Sequence, residues 1–184
     1  LKRTTGIESL VCVTAQHRQM LDQVLNLFGI VPDVDLDLMR DDQTLSQLSA
    51  AIFTNLEPAL KNFHPDWVLV QGDTTTVAIT ALLAYYHRIK VGHVEAGLRT
   101  HDKWQPFPEE INRRIVDHVS DINLTYSDHA REYLLREGLP PERVIKTGSP
   151  IYEVLSHFES NIRQSQILNE LQLESQKYFL VSAH

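Results

Sequence analysis

The chain has one cysteine among 184 residues, so no disulfide can form within it and a small covalently stapled scaffold is excluded. That residue, Cys12, lies in the apolar run Leu10 to Val13. A free thiol in such a place reads as a small hydrophobe, buried and inert, in a reduced compartment. Long hydrophobic runs are also missing. No stretch approaches the roughly 20 apolar residues that cross a bilayer, and no signal-peptide pattern opens the sequence. Positive charge is in deficit: 17 Lys and Arg against 24 Asp and Glu leave a net −7, and the basic residues are scattered, which argues against a nucleic-acid surface. The words C-x-x-C, H-E-x-x-H, G-x-x-x-x-G-K and G-x-S-x-G are absent, removing the structural-zinc, metalloprotease, P-loop and nucleophile-elbow readings. The expectation is a soluble, cytoplasmic protein with no nucleic-acid or membrane partner.

What is present is an α/β pattern. Apolar content of 42% supports a core of ordinary size. Apolar runs of four to eight residues recur between amphipathic segments, as in a Rossmann-like parallel sheet with flanking helices. The pattern predicts strands over residues 9–14, 67–71, 90–94, 122–125, 144–147 and 178–182, and helices over 19–28, 44–63, 74–87, 108–119 and 128–137. Pro58 is expected to kink or divide the second helix, and Ile111, Ile115 and Val119 to form the apolar stripe of the fourth. After Gly148-Ser149-Pro150 the composition turns polar. Residues 1–150 therefore read as one domain, 151–177 as a helical connector, and 178–184 as the first strand of a second domain. Leu1 to Gly6 resembles the last turn of a helix, and the sequence stops at His184 directly after an apolar run; both ends are expected to interrupt structural units.

Three acidic residues fall at element boundaries, where side chains converge on the ligand crevice of an open α/β sheet. Asp73 follows the apolar run Val68 to Val70 in the word Gln71-Gly72-Asp73-Thr74; it reads either as a helix N-cap or as a ligand-facing carboxylate beside a glycine that permits close backbone approach. Glu95 ends another strand, and Arg99 could pair with it. Glu109 and Glu110 open a helix after Pro108, where acidic residues complement the helix dipole. Arg113 is the local counter-charge of Glu109 at i+4, or a contact for an anionic substrate. His64, His87, His101, His118, His129 and His157 are expected on surfaces or half-buried helix faces.

The words Thr14-Ala15-Gln16-His17-Arg18-Gln19-Met20-Leu21, Val70-Gln71-Gly72-Asp73-Thr74-Thr75, His93-Val94-Glu95-Ala96-Gly97-Leu98-Arg99-Thr100, Pro108-Glu109-Glu110-Ile111-Asn112-Arg113 and Val181-Ser182-Ala183-His184, in this order and spacing, resemble the non-hydrolysing UDP-N-acetylglucosamine 2-epimerases of bacterial and archaeal polysaccharide pathways. The resemblance runs over essentially the whole chain. It implies the first domain of a glycosyltransferase-B-like two-domain fold, without the family's opening strand and with only the start of the second domain, so that the 184 residues alone are expected to be inactive.

The implied reaction interconverts UDP-N-acetylglucosamine and UDP-N-acetylmannosamine by elimination of UDP and its re-addition, with inversion at C2. Asp73, Glu95 and Glu109 match the family's catalytic acidic positions, and Arg113 and His184 the positions that stabilise the departing diphosphate. Asp73, Glu95 and His184 are also implied in substrate binding. No metal or redox cofactor is implied; the partner is the UDP-sugar, and the full-length form is expected to be a homodimer. Gln16, His17 and Gln19 match a regulatory UDP-sugar site found in many bacterial members. Asp42, however, stands where several members carry a basic residue, which argues against control by an anionic ligand. A hydrolysing relative, releasing UDP and free N-acetylmannosamine, and a non-catalytic nucleotide-sugar binding module are the alternatives.

Overall fold

The computed structural model describes residues 1–2, 4–14 and 18–181. By contacts it divides into two compact units, Leu1–Gly148 and Ser149–His184. The boundary falls just ahead of Pro150, where the polar stretch begins.

The first unit opens with β1 (Cys12–Val13), α1 (Arg18–Phe28) and β2 (Val34–Asp35); β1 and β2 pair in parallel, Cys12 opposite Val34. Sequence reasoning missed β2, although Val34, Leu36 and Leu38 alternate with Asp33, Asp35 and Asp37 in the period-2 pattern of a half-buried strand. The alternation delivers Leu38 to the core at 6% exposure. Cys12 is exposed, which corrects the expectation of a buried thiol, because in a two-stranded ribbon only Val13 turns inward. Desolvation by neighbouring atoms, and then the carboxylate of Asp35, push its thiol pKa up. The nucleophilic thiolate is thus disfavoured without full burial.

α2 (Leu45–Phe63) begins at a capping box in which Thr44 and Gln47 satisfy each other's backbone N–H groups. It runs unbroken through Pro58, against the expectation of a division. Its stripe Leu48, Ile52, Leu56 and Leu60 is buried, and burial of four aliphatic side chains at roughly 1.5–3 kcal/mol each outweighs the roughly 3 kcal/mol of an interior proline.

The main sheet has four parallel strands in the order β3 (Trp67–Gln71), β4 (Lys90–Ala96), β5 (Ile122–Thr125), β6 (Val144–Lys146). Helices α3 (Thr75–Tyr86), α4 (Glu109–Val119) and α5 (Asp128–Arg136) make the successive crossovers. α3 packs on α2 and α4, and its alanines 78, 81 and 84 meet Val70, Val91 and Val116 in one core cluster. Small side chains there let the helix lie close to the strands. β3 is an edge of this sheet and leaves Leu69 55% exposed.

The second unit holds three short helices, α6 (Ile151–His157), α7 (Glu159–Gln164) and α8 (Ile167–Glu170), none with a buried residue. Residues 178–181 form no strand, contrary to expectation, and Phe179 is 99% exposed. A parallel strand exists only through its neighbours' hydrogen bonds, and this segment pairs with none among the described residues. No helix of the described residues is long and apolar enough to cross a membrane.

Candidate active site

The carboxyl ends of β3, β4 and β5 meet where an open α/β sheet places its ligands. Gln71 pairs with Val94 across the β3–β4 ladder, and the N–H of Gly72 still donates to the carbonyl of Val94 at 3.1 Å. Asp73 and Glu95 therefore emerge side by side from adjacent strand ends. Gly72 holds φ at +84°, with no atom within 4 Å of where a Cβ would stand. Its role is thus the left-handed turn, rather than the close ligand approach that sequence suggested. The helix cap belongs to Thr74, whose hydroxyl accepts from the N–H of Val77 at 3.4 Å. That leaves the Asp73 carboxylate free of a capping duty.

Glu95 has φ +71°, and the β4–β5 register slips between Val94 and Ala96. A left-handed glutamate in a strand is a bulge that turns one side chain out of the alternation. Arg99 does not pair with it. The Arg99 guanidinium donates to Asp117 at 2.7 Å and grips Glu137 with two bonds of 2.8 and 2.6 Å. Burial opposes the Arg99 charge, but its hydrogen bonds to Glu137 and the charge of Asp117 prevail and hold its pKa above the ordinary value. Glu95 forms no ion pair among the described residues. Its charge is felt by Tyr126, just past β5, whose phenol pKa is raised first by burial and then by Glu95, against a hydrogen bond with Gln71.

α4 supplies the other wall, and its buried face is not the one expected. Ile111 is 39% exposed, while Glu110, Asn112, Arg113, Val116 and Asp117 are buried. A polar face can be buried here because its members satisfy one another. Glu110 accepts from the N–H groups of Thr100 and His101 at 3.0 and 3.2 Å and from Arg114 at 3.0 Å. Burial would raise its pKa, but these donors outweigh it and hold the carboxyl below the usual range. The two adjacent glutamates thus part company: Glu110 braces the Thr100–His101 loop, and half-buried Glu109 forms no ion pair among the described residues.

Arg113 turns to Asp73 at 2.8 Å and to Glu110 at 3.7 Å, not to Glu109 as the i+4 spacing suggested. Asn112 adds a bond from its amide to the Asp73 carbonyl at 3.0 Å. One helical turn separates Glu109 from Arg113, so both stand on the α4 side that faces Asp73. The Nε of Arg113 is buried without a hydrogen-bond partner among the described residues.

The fully buried His93 was not foreseen as a site element. Its Nε2 meets the carbonyl of Gly72 at 2.8 Å and its Nδ1 meets Asp117 Oδ1 at 2.7 Å. A carbonyl can only accept, so Nε2 carries the hydrogen. The signal for it was a histidine inside an apolar strand, where a polar ring needs partners on both sides. The six histidines expected at surfaces or half-buried faces lie there. Gln19, in the first turn of α1, is exposed; Gln16, His17 and His184 lie outside the described residues. Among the described residues no group of three or more His, Cys, Asp and Glu side chains is arranged to hold a metal ion.

The sequence family described as UDP-N-acetylglucosamine 2-epimerase matches residues 1–184. The UDP-N-acetylglucosamine 2-epimerase of Salmonella typhimurium is 46% identical over 180 residues, 98% of this chain and 48% of that protein. The Escherichia coli K12 protein of the same name is 46% identical over 91% of this chain and 45% of its own length. The crystal structure of the Neisseria meningitidis UDP-GlcNAc 2-epimerase bound to UDP-GlcNAc superimposes with a TM-score of 0.87 at 41% identity, covering 94% of this chain and 46% of that one. The Methanocaldococcus jannaschii enzyme in complex with UDP-GlcNAc and UDP gives 0.82 at 30% identity over 91% and 46%. The chain thus spans about half the length of the curated relatives it matches. With its parallel sheet, its flanking helices and a match from end to end, the chain belongs to the UDP-N-acetylglucosamine 2-epimerase family, whose fold is glycosyltransferase-B-like.

Proposed function

We propose that Asp73, Glu95, Glu109 and Arg113 form the first-domain wall of a site that interconverts UDP-N-acetylglucosamine and UDP-N-acetylmannosamine. The observation that carries this reading is the emergence of Asp73 and Glu95 from adjacent strand ends, with Arg113 of α4 paired to Asp73; Glu109 precedes Arg113 by one helical turn. Inversion at C2 needs a base that removes the C2 proton as the C1–O bond to UDP breaks. The electron pair of the C–H bond becomes the C1=C2 double bond, and UDP leaves with the C–O pair. An acid on the opposite face then returns a proton to C2 while UDP re-adds at C1. Two faces call for at least two carboxyl groups, each within reach of the ring. Arg113 pairs with Asp73 at 2.8 Å and offsets the charge of that carboxylate at the crevice. The structures of relatives described with UDP-GlcNAc support a UDP-sugar as substrate. A cytoplasmic homodimer serving surface-polysaccharide synthesis is the setting that this reading implies, with residues 151–177 as connector, 178–184 as the start of a second domain and His184 among the catalytic residues.

The test is NMR of the intact protein carrying this chain, incubated with UDP-N-acetylglucosamine in D2O. UDP-N-acetylmannosamine should form with deuterium at C2. Net release of UDP with free N-acetylmannosamine would favour a hydrolysing enzyme, and binding without turnover a non-catalytic module. Glu95→Gln, Asp73→Asn and Glu109→Gln should each lower kcat by roughly 10²- to 10⁴-fold, the range of a positioned acid or base.

A further inference from the structure

We propose that Asp117 is the positioning residue for Glu95 and Asp73, fixing the two strand ends that present them; this rests on the epimerase reading above. The Asp117 side chain is fully buried and divides its two oxygens between the flanks of the bulge. Oδ1 takes His93 Nδ1 at 2.7 Å; Oδ2 takes the N–H of Gly97 at 3.3 Å and Arg99 at 2.7 Å. His93 and Gly97 lie two residues before and two residues after Glu95, so one carboxylate braces both sides of the left-handed residue. A glutamate at positive φ persists only where its surroundings over-determine it, and Asp117 is the group that does so.

The same network reaches Asp73. His93 passes the constraint from Asp117 to the Gly72 carbonyl at 2.8 Å, the peptide that joins Gly72 to Asp73. On the far side, Arg99 offsets the charge of Asp117 and, through Glu137, carries the network to the protein surface. A buried carboxylate contributes little net stability compared with an apolar side chain of equal size. Its placement behind the two strand ends, on the helix that also carries Glu109 and Arg113, gives it a use that stability alone does not. Asp117 has no exposed surface from which to touch a substrate, so it acts through the backbone.

The experiment compares the intact wild-type protein with Asp117→Asn and Asp117→Ala in epimerisation kinetics and in titration of the Tyr126 phenol, which senses Glu95. Asparagine preserves the geometry: its oxygen accepts from Gly97 and Arg99, and its NH2 donates to Nδ1 of a neutral His93 whose Nε2–H still meets Gly72. Asp117→Ala should lower kcat by about 10²-fold, the cost of misplacing a reacting group by about 1 Å, with KM within about threefold and the Tyr126 pKa falling toward its ordinary value. Asp117→Asn should recover kcat to within about tenfold of wild type. The proposal is overturned if the alanine variant keeps wild-type kcat, if KM alone rises, if the Tyr126 titration does not move, or if a folded asparagine variant is as inactive as alanine. Should Asp117→Ala not fold, His93→Leu, which removes the Oδ1 arm and its link to Gly72 but leaves the Gly97 and Arg99 contacts of Asp117, takes its place with the same expectations for kcat, KM and Tyr126. A wild-type protein that does not epimerise refutes the functional reading, and the Tyr126 titration then still decides the positioning.

Discussion

Replacing Glu110 by glutamine changes one buried oxygen into an NH2 group with almost no change in volume, and the structure sets the cost. If the remaining oxygen keeps the His101 N–H and Arg114, the new NH2 faces the Thr100 N–H, formerly a donor to Oε2 at 3.0 Å. Two donors then oppose each other where Glu110 was fully buried. An unsatisfied buried N–H costs about 1–3 kcal/mol. Loss of the charge adds about 0–1 kcal/mol, because the Arg114 side chain is 37% exposed and its pairing is screened. The expected destabilisation is about 1–4 kcal/mol, which lowers Tm by roughly 3–15 °C in a unit of this size. The pH dependence has a definite sign. A carboxyl whose folded pKa is depressed contributes stability that is present above the unfolded value, about 4.3, and is lost as pH falls through the folded pKa. The wild-type advantage over Glu110→Gln should therefore be full at pH 7 and shrink steadily below about pH 4. Thermal unfolding of both proteins across pH 3–7 is the assay. Equal Tm values at pH 7, or a difference that stays constant on acidification, would refute Glu110 as the brace of the Thr100–His101 loop.

Two glycines should respond very unequally to alanine in the same unfolding measurement. At Gly97 a Cβ would stand 2.4 Å from the carbonyl oxygen of Ala130 with φ at +84°, so Gly97→Ala should cost about 3 kcal/mol or more from strain and overlap together. At Gly92 the clash is with Leu69 Cδ2 at 2.6 Å, the tip of a half-exposed side chain that can rotate away, so Gly92→Ala should cost about 1 kcal/mol or less. At the site, Glu95→Gln removes a charge that raises the Tyr126 phenol. Its titration, followed by ultraviolet absorbance, should move to lower pH, and an unchanged midpoint would place Glu95 away from Tyr126.

The sheet was legible because its strands are apolar runs bounded by turn residues: residues 67–71 and 122–125 follow from the sequence to the residue. The edge ribbon was less so, since β1 keeps only Cys12–Val13, and pairing with one short neighbour leaves the flanking apolar residues at the surface. Residues 178–181 show the limit of the same rule: an apolar run states a wish for burial, and only a partner strand can grant a ladder. Asp73 and Glu95 were visible because strand termini are where a parallel sheet exposes carboxylates. What was hidden is the support behind them. Helix α4 looked amphipathic through Ile111, Ile115 and Val119, yet it buries Glu110, Arg113 and Asp117, because each finds partners far away in sequence: Thr100, Asp73 and His93. Periodicity counts apolar residues on a face, but a face can equally be buried by polar groups whose hydrogen bonds close only in three dimensions. A buried face of that kind specifies position more strictly than an apolar one, since hydrogen bonds fail within a fraction of an ångström where hydrophobic contacts tolerate sliding. The helix that least obeys the apolar pattern is therefore the one suited to hold Asp73 and Glu95 in register.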